Sequence, residues 1–175
     1  MSRVLRLIAI LLAISAGSAL ANTAADETGF VGKPSPAFDA RDIAGNPVGS
    51  AKLFGEGKVV VLNFWGLRCG ACLEEMPTLN ALQDRHKDAV VVLGVNNDGI
   101  DAAFLARQIE KGGLKIRYTV IPDPEMKLVD LFKMTLAPLT LVMDPKGTVR
   151  YRHENYVSGD EVELEAVVRS ILEGK

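Results

Sequence analysis

The chain has 175 residues, 20 basic and 22 acidic, for a formal charge of −2 with no long run of either sign. That balance excludes the basic footprint of a nucleic-acid or anionic-membrane binder and leaves a protein or small molecule as the partner. Only two cysteines are present, so any sulfur chemistry rests on one pair.

The sequence opens MSRVLRLIAILLAISAGSALA. Arg3 and Arg6 form a positive start, residues 7–16 are apolar, and Ala19-Leu20-Ala21 fits the small-x-small cleavage rule of a secretory signal peptide. The apolar stretch is shorter than the roughly 20 residues that span a bilayer, which favours cleavage and export over an uncleaved membrane anchor. Residues 1–21 are expected to be the signal peptide. Residues 22–29 (NTAADETG) are small and polar and read as a flexible tether. Residues 30–175 then have the length of one well-buried domain.

Residues 38–48 (FDARDIAGNPV) carry turn chemistry at Gly45-Asn46-Pro47 and predict an edge hairpin. Three apolar runs, 59–64 (VVVLNF), 90–95 (VVVLGV) and 139–143 (LTLVM), read as strands covered on both faces. Between the first two, Cys72, Met76, Leu79 and Leu82 recur at helical spacing, predicting a helix over 69–87 with Pro77 kinking it. Asp101 is placed to cap a helix that Gly112-Gly113 ends. Asp123-Pro124 predicts a third helix with Pro124 at its first position. Residues 147–151 after Asp144-Pro145-Lys146 read as a closing hairpin strand, and Ser158-Gly-Asp-Glu161 as the capping box of a last helix ending near Gly174. The alternation predicts an α/β domain, a central sheet with helices on both faces.

In this layout Cys69 and Cys72 fall where a buried strand hands over to a helix. Unsatisfied N–H groups and the dipole at a helix N-terminus favour a thiolate, lowering a cysteine from about 8.5 to roughly 3.5–7.5, and Arg68 adds a cation. Cys69 is the natural nucleophile, and Cys72, one turn inward, can resolve a mixed disulfide. A structural staple closing so short a loop removes little unfolded-chain entropy. Zinc lacks further ligands, since His86 and His153 are remote in sequence; haem attachment needs a histidine where Leu73 stands. Two thiolates can still hold Cu(I). Glu75 lies on the face of Cys72, either as a proton acceptor for it or, with Glu74, as a solvated first-turn acid. Pro138 either starts its strand or holds a cis bond near the cysteines.

Together Asn63-Phe64-Trp65, Cys69-Gly-Ala-Cys72, Glu75-Met76-Pro77 and Pro138 before Leu-Thr-Leu-Val-Met resemble the thioredoxin superfamily, and within it the exported TlpA/ResA-like branch. The resemblance runs from about residue 30 to 172 and implies a thioredoxin-like fold: a mixed sheet flanked by helices, an N-terminal β-hairpin and an inserted αβ segment over 96–123. It implies a redox-active Cys69–Cys72 disulfide, a catalytic role for Glu75, and a client surface made by Trp65, Arg68, Gly70, Ala71, Ala137 and a cis Pro138. Trp65 is expected beside the disulfide or in the core below it. Asn63 stands where cytosolic thioredoxins carry a buried aspartate, a role that Glu75 takes over.

The implied activity is thiol-disulfide exchange by a monomer with no cofactor and no metal. Its partners are client proteins with disulfides or thiols, of the apocytochrome c or copper-site classes, and a membrane electron donor. Two departures bear on redox potential: Gly70-Ala71 replaces the usual Gly-Pro or Glu-Pro, and Arg68 stands where tryptophan is common. Arg68 pushes towards an oxidant and Glu75 towards a reductant. A Cu(I) metallochaperone and a peroxiredoxin-like thiol peroxidase are the rival readings, the latter lacking the P-x-x-x-T-x-x-C motif. His86, on a solvated helix face, and His153, in a loop, are assigned no role.

Overall fold

The computed structural model describes residues 28–174, so the expected signal peptide and most of the tether lie outside the described residues. A hairpin of β1 (Asp39–Arg41) and β2 (Pro47–Gly49) is closed by Asp42, whose carboxylate accepts the Ala44 and Asn46 N–H groups. Gly45 supplies the left-handed residue at φ 86°. A short helix α1 (Ser50–Gly55), not predicted from the sequence, follows directly. It has only two buried residues, Ser50 and Leu53, too few to produce a periodic pattern.

The main sheet has five strands: β3 (Val59–Trp65), β4 (Val90–Asn96), β5 (Thr119–Pro122), β6 (Leu139–Met143) and β7 (Val149–Glu154), ordered β5-β4-β3-β6-β7. β3 runs parallel to β4, which runs parallel to β5; β6 is antiparallel to both β3 and β7. Central β3 is buried at all seven positions because both of its faces are covered. Val60, Leu62 and Phe64 enter one core with Leu53, Leu128 and Phe132. Val59 and Val61 enter the opposite core with Leu79, Leu82, Leu164 and Val168.

Helices α2 (Gly70–Arg85), α3 (Ala102–Lys111), α4 (Lys127–Leu131) and α5 (Asp160–Leu172) complete the chain. α2 continues through Pro77. α3 starts at Asp101, whose carboxylate accepts the Phe104 N–H at 2.7 Å, and ends at Gly112 as expected.

Three local expectations are corrected. The third helix begins at Lys127 rather than at Pro124: Asp123 does cap it, accepting the Leu128 and Val129 N–H groups, but the chain first makes a turn with Met126 at φ 56°. No capping box forms at Ser158, because Gly159 is the cap at φ 113° and Glu161 reaches back to the Gly159 N–H and the Tyr156 hydroxyl. His153 lies on β7 rather than in a loop, and His86 ends α2, with Nε2 3.2 Å from Glu165.

Candidate active site

Strand β3 delivers Trp65 into a fully buried position, and the chain turns at Gly66–Cys69, where the Cys69 N–H donates to the Gly66 carbonyl. The loop after β4 pins this turn. Asp98 accepts the Leu67 N–H at 2.8 Å and the Asn96 amide at 2.7 Å, while Asn97 donates its N–H to the Trp65 carbonyl. A side chain at Gly66 would crowd Asn97 and Asp98 at 3.0–3.1 Å, so the two loops pack backbone to side chain. Sequence reasoning gave Asp98 no part in the site; the only signal was an acid in the turn-rich stretch after a buried strand.

Cys69 is the N-cap of α2 and is disulfide-bonded to Cys72, their Cα atoms 5.2 Å apart. Cys69 Sγ accepts the Cys72 N–H at 3.2 Å, the contact that supports a thiolate at this helix end. Cys69 is half-buried and Cys72 is 1% exposed, an asymmetry that suits an outer attacking and an inner resolving sulfur.

One turn on, Glu75 is 3% exposed. Its oxygens accept the Thr140 hydroxyl at 2.7 Å and the Asn63 amide at 2.8 Å; the second Asn63 amide hydrogen goes to Thr140 Oγ1 at 2.9 Å. β3 and β6 pair Asn63 directly with Thr140, so the cradle is built by sheet register. Burial raises the carboxyl from 4.5 to about 7, against the two hydrogen bonds that favour the anion. The alternative of a solvated first-turn acid therefore fits Glu74, which is exposed, and not Glu75.

The other predicted residues divide. Arg68 and Gly70 are exposed, Ala71 is half-buried, and Ala137 is half-buried against the cluster of Trp65, Cys72 and Met76 that Cys69 also touches. The Ala137–Pro138 peptide is cis, and Pro138 is buried. Trp65 is corrected: it fills the core beneath the cysteines and offers a client no surface. Gly94 makes room for it, since a Cβ there would lie 2.6 Å from Tyr118 and 3.1 Å from the Trp65 indole nitrogen. Beside Cys69 runs an open groove of about 530 Å³, lined by Leu67, Arg68, Leu73, Phe104, Lys111 and Leu114.

The AhpC/TSA family model matches residues 31–152. "Thiol-disulfide oxidoreductase ResA" of Bacillus anthracis is 31% identical over 120 residues, 68% of this chain and 66% of the relative, so the match spans just under two thirds of that protein. "Thiol:disulfide interchange protein DsbE" of Xylella fastidiosa is 30% identical over 146 residues, 81% of this chain and 70% of its own. A solved structure described as a thiol:disulfide interchange protein DsbE from Chlorobium tepidum has a TM-score of 0.73 and 25% identity, covering 81% of this chain and 97% of that one. The fold is thioredoxin-like. No helix among the described residues is long and apolar enough to cross a membrane.

Proposed function

The chain belongs to the AhpC/TSA family, and from that premise we propose that it is a thiol-disulfide oxidoreductase that reduces disulfides in client proteins by dithiol exchange. The observation that carries this reading is the Cys69–Cys72 disulfide at the start of α2 with a buried, hydrogen-bonded carboxyl, Glu75, one turn behind it. The Cys69 thiolate attacks a client disulfide and displaces one client sulfur. Cys72 then loses its proton to Glu75 and attacks Cys69 Sγ, releasing the reduced client and closing the internal disulfide. A carboxyl near 7 is matched to that exchange, because it both accepts and returns a proton at neutral pH.

Arg68, Gly70, Ala71 and Ala137 form the rim on which an extended client lies, and the groove lined by Leu67, Leu73 and Phe104 receives its neighbouring apolar side chain. The protein is exported to the periplasm by its N-terminal segment and acts as a monomer. Its clients are cysteine pairs awaiting haem or copper. A periplasm is kept oxidising, so the reduced form is replenished by a membrane electron donor.

The decisive test is a Cys72→Ser variant expressed in the native host, with trapped Cys69 adducts identified by mass spectrometry, alongside reduction of insulin disulfides by the unaltered protein. Client adducts and turnover support the proposal. Stoichiometric Cu(I) binding without turnover, or peroxide consumption in place of disulfide reduction, overturns it.

A further inference from the structure

Glu75 must shed its proton after each resolving step and regain it on re-reduction. The cradle that holds it is not a dead end. Behind Glu75, between α2, β6, β7 and α5, lies a small, partly open pocket of about 10 Å³, lined by Glu75, Thr140, Tyr151, His153, Tyr156 and Asp160 among others. That is room for about one water. Thr140, which donates to Glu75, is the direct cross-strand partner of His153, so the two side chains share a sheet face with Cβ atoms about 4.5–5.5 Å apart. His153 stacks on Tyr151, with ring centroids 6.1 Å apart, and its Nε2 is 3.0 Å from Asp160 Oδ2. The His153 side chain is 35% exposed, so the far end of this line reaches solvent.

We propose that His153, oriented by Asp160, is the relay that carries the proton between Glu75 and solvent through this pocket, without passing the cysteines. The inference rests on the reading of Glu75 as the proton acceptor of Cys72. After Cys72 has given its proton to Glu75 and closed the disulfide on Cys69, the Glu75 carboxyl passes that proton to the neutral His153 imidazole. The imidazolium, paired with the Asp160 carboxylate, releases it to water. On re-reduction the same path runs inward, from water to His153 to Glu75 to the Cys72 thiolate. An imidazole is the side chain suited to both steps, because one ring nitrogen can accept a proton while the other, on the Asp160 side, releases one.

The other groups facing Glu75 do not compete for this role. The Tyr118 hydroxyl, from the residue before β5, and the Tyr151 hydroxyl from β7 are held neutral by burial, their values pushed well up. From α5, Glu161 is occupied by the Tyr156 hydroxyl and the Gly159 N–H, which keep it anionic; Glu163 is exposed. Between the two remaining groups the signs are opposed: while it holds the relayed proton, the His153 imidazolium favours the Glu75 carboxylate, and the Asp160 carboxylate opposes it.

That opposition makes the test signed. In the oxidised protein, where the cysteines do not titrate, the Glu75 carboxyl carbon is followed by NMR against pH, with Glu75→Gln identifying its resonance. His153→Gln is expected to raise the midpoint by about half a unit or more, and Asp160→Asn to lower it comparably. Both variants keep the polar contact between strand and helix. A third variant, His153→Phe, keeps the stacking ring but carries no proton, and is expected to slow multiple-turnover disulfide reduction, in which Glu75 must be emptied and refilled each cycle, about tenfold. If Glu75→Gln leaves the pH profile of resolution unchanged, the reading of Glu75 itself fails. If Glu75→Gln abolishes the inflection while the His153 and Asp160 variants leave midpoint and rate unmoved, the relay alone is overturned.

Discussion

At the scale of single residues, Glu75 sets stability against chemistry. Its value of about 7 in the folded protein stands above the ordinary 4.5, so burial stabilises the protonated form. That contribution is fully present below about pH 4.5 and is lost as pH rises through 7, and 2.5 units of separation correspond to about 3 kcal/mol. Glu75→Gln keeps the shape without the charge. Urea unfolding of the oxidised variant is therefore expected to be flat where the unaltered protein loses stability between pH 5 and 8, leaving the variant the more stable by roughly 2–3 kcal/mol at pH 8. The same change removes the acceptor for Cys72, so stability is gained where turnover is lost. Gly94 is the second such residue. Because a Cβ would strike the Tyr118 ring at 2.6 Å and crowd Trp65, Gly94→Ala is expected to cost about 1–3 kcal/mol and to disturb the floor under Cys72. Thermal unfolding measures the first and near-ultraviolet dichroism of the sole tryptophan the second. No pattern in the sequence distinguished Gly94 from an ordinary strand residue, because its neighbours across the sheet come from β5 and β3.

At the scale of elements, signals contained within one segment were legible and those completed by another segment were not. The all-apolar run of β3, the helical spacing from Cys72 to Leu82, and the Asp101 cap with its Gly112 stop each state their outcome locally, and the structure places those elements within two residues of expectation. The start of α4 was misplaced because Asp123 caps across a turn with an αL residue, Met126, which local propensity does not favour. The fate of His153 was invisible for a related reason: it depends on the register of β6 against β7 and on where α5 packs. The cysteines and the cradle differ in the same way. Cys69 and Cys72 announce themselves by spacing, while Thr140 joins Glu75 from 65 residues away. A legible cap still needs a magnitude. Asp101→Ala removes the acceptor for the Phe104 N–H on an exposed helix, and is expected to cost about 1 kcal/mol in unfolding free energy while leaving the disulfide chemistry intact, as insulin reduction would report.

At the scale of the whole molecule, the N-terminal segment solves the problem of two open sheet edges. Residues 32–35 pair with residues 147–149, at the start of β7: Gly32 donates to the Val149 carbonyl at 2.8 Å, Val149 to the Lys33 carbonyl at 2.9 Å, and Ser35 to the Gly147 carbonyl at 2.8 Å. Phe30 stacks on Phe132 beneath the Arg152 guanidinium and the Lys133 amine, fastening that strap to the core. The chain then buries Phe38 in the same core and ends at the opposite edge, where Ile43 donates to the Val120 carbonyl of β5 at 3.0 Å. One segment thus crosses a whole face of the sheet and occupies backbone positions on both borders, which would otherwise template pairing with another chain. A chain shortened to begin at Pro36 keeps Phe38 and the hairpin but loses the β7 strap and the Phe30 ring. Three backbone hydrogen bonds at about 1 kcal/mol each and a half-buried aromatic sum to a loss of roughly 3–5 kcal/mol. The shortened protein is expected to unfold at least several degrees earlier in calorimetry and to associate with rising concentration in size-exclusion chromatography, because bare β7 is then free to pair. The active-site turn is held from β4, by Asp98 and Asn97, so its cysteines should still reduce insulin below the new melting point. Loss of that activity with the fold intact would mean that the strap reaches the site through the core, by way of Phe132 and Phe64, rather than guarding an edge alone.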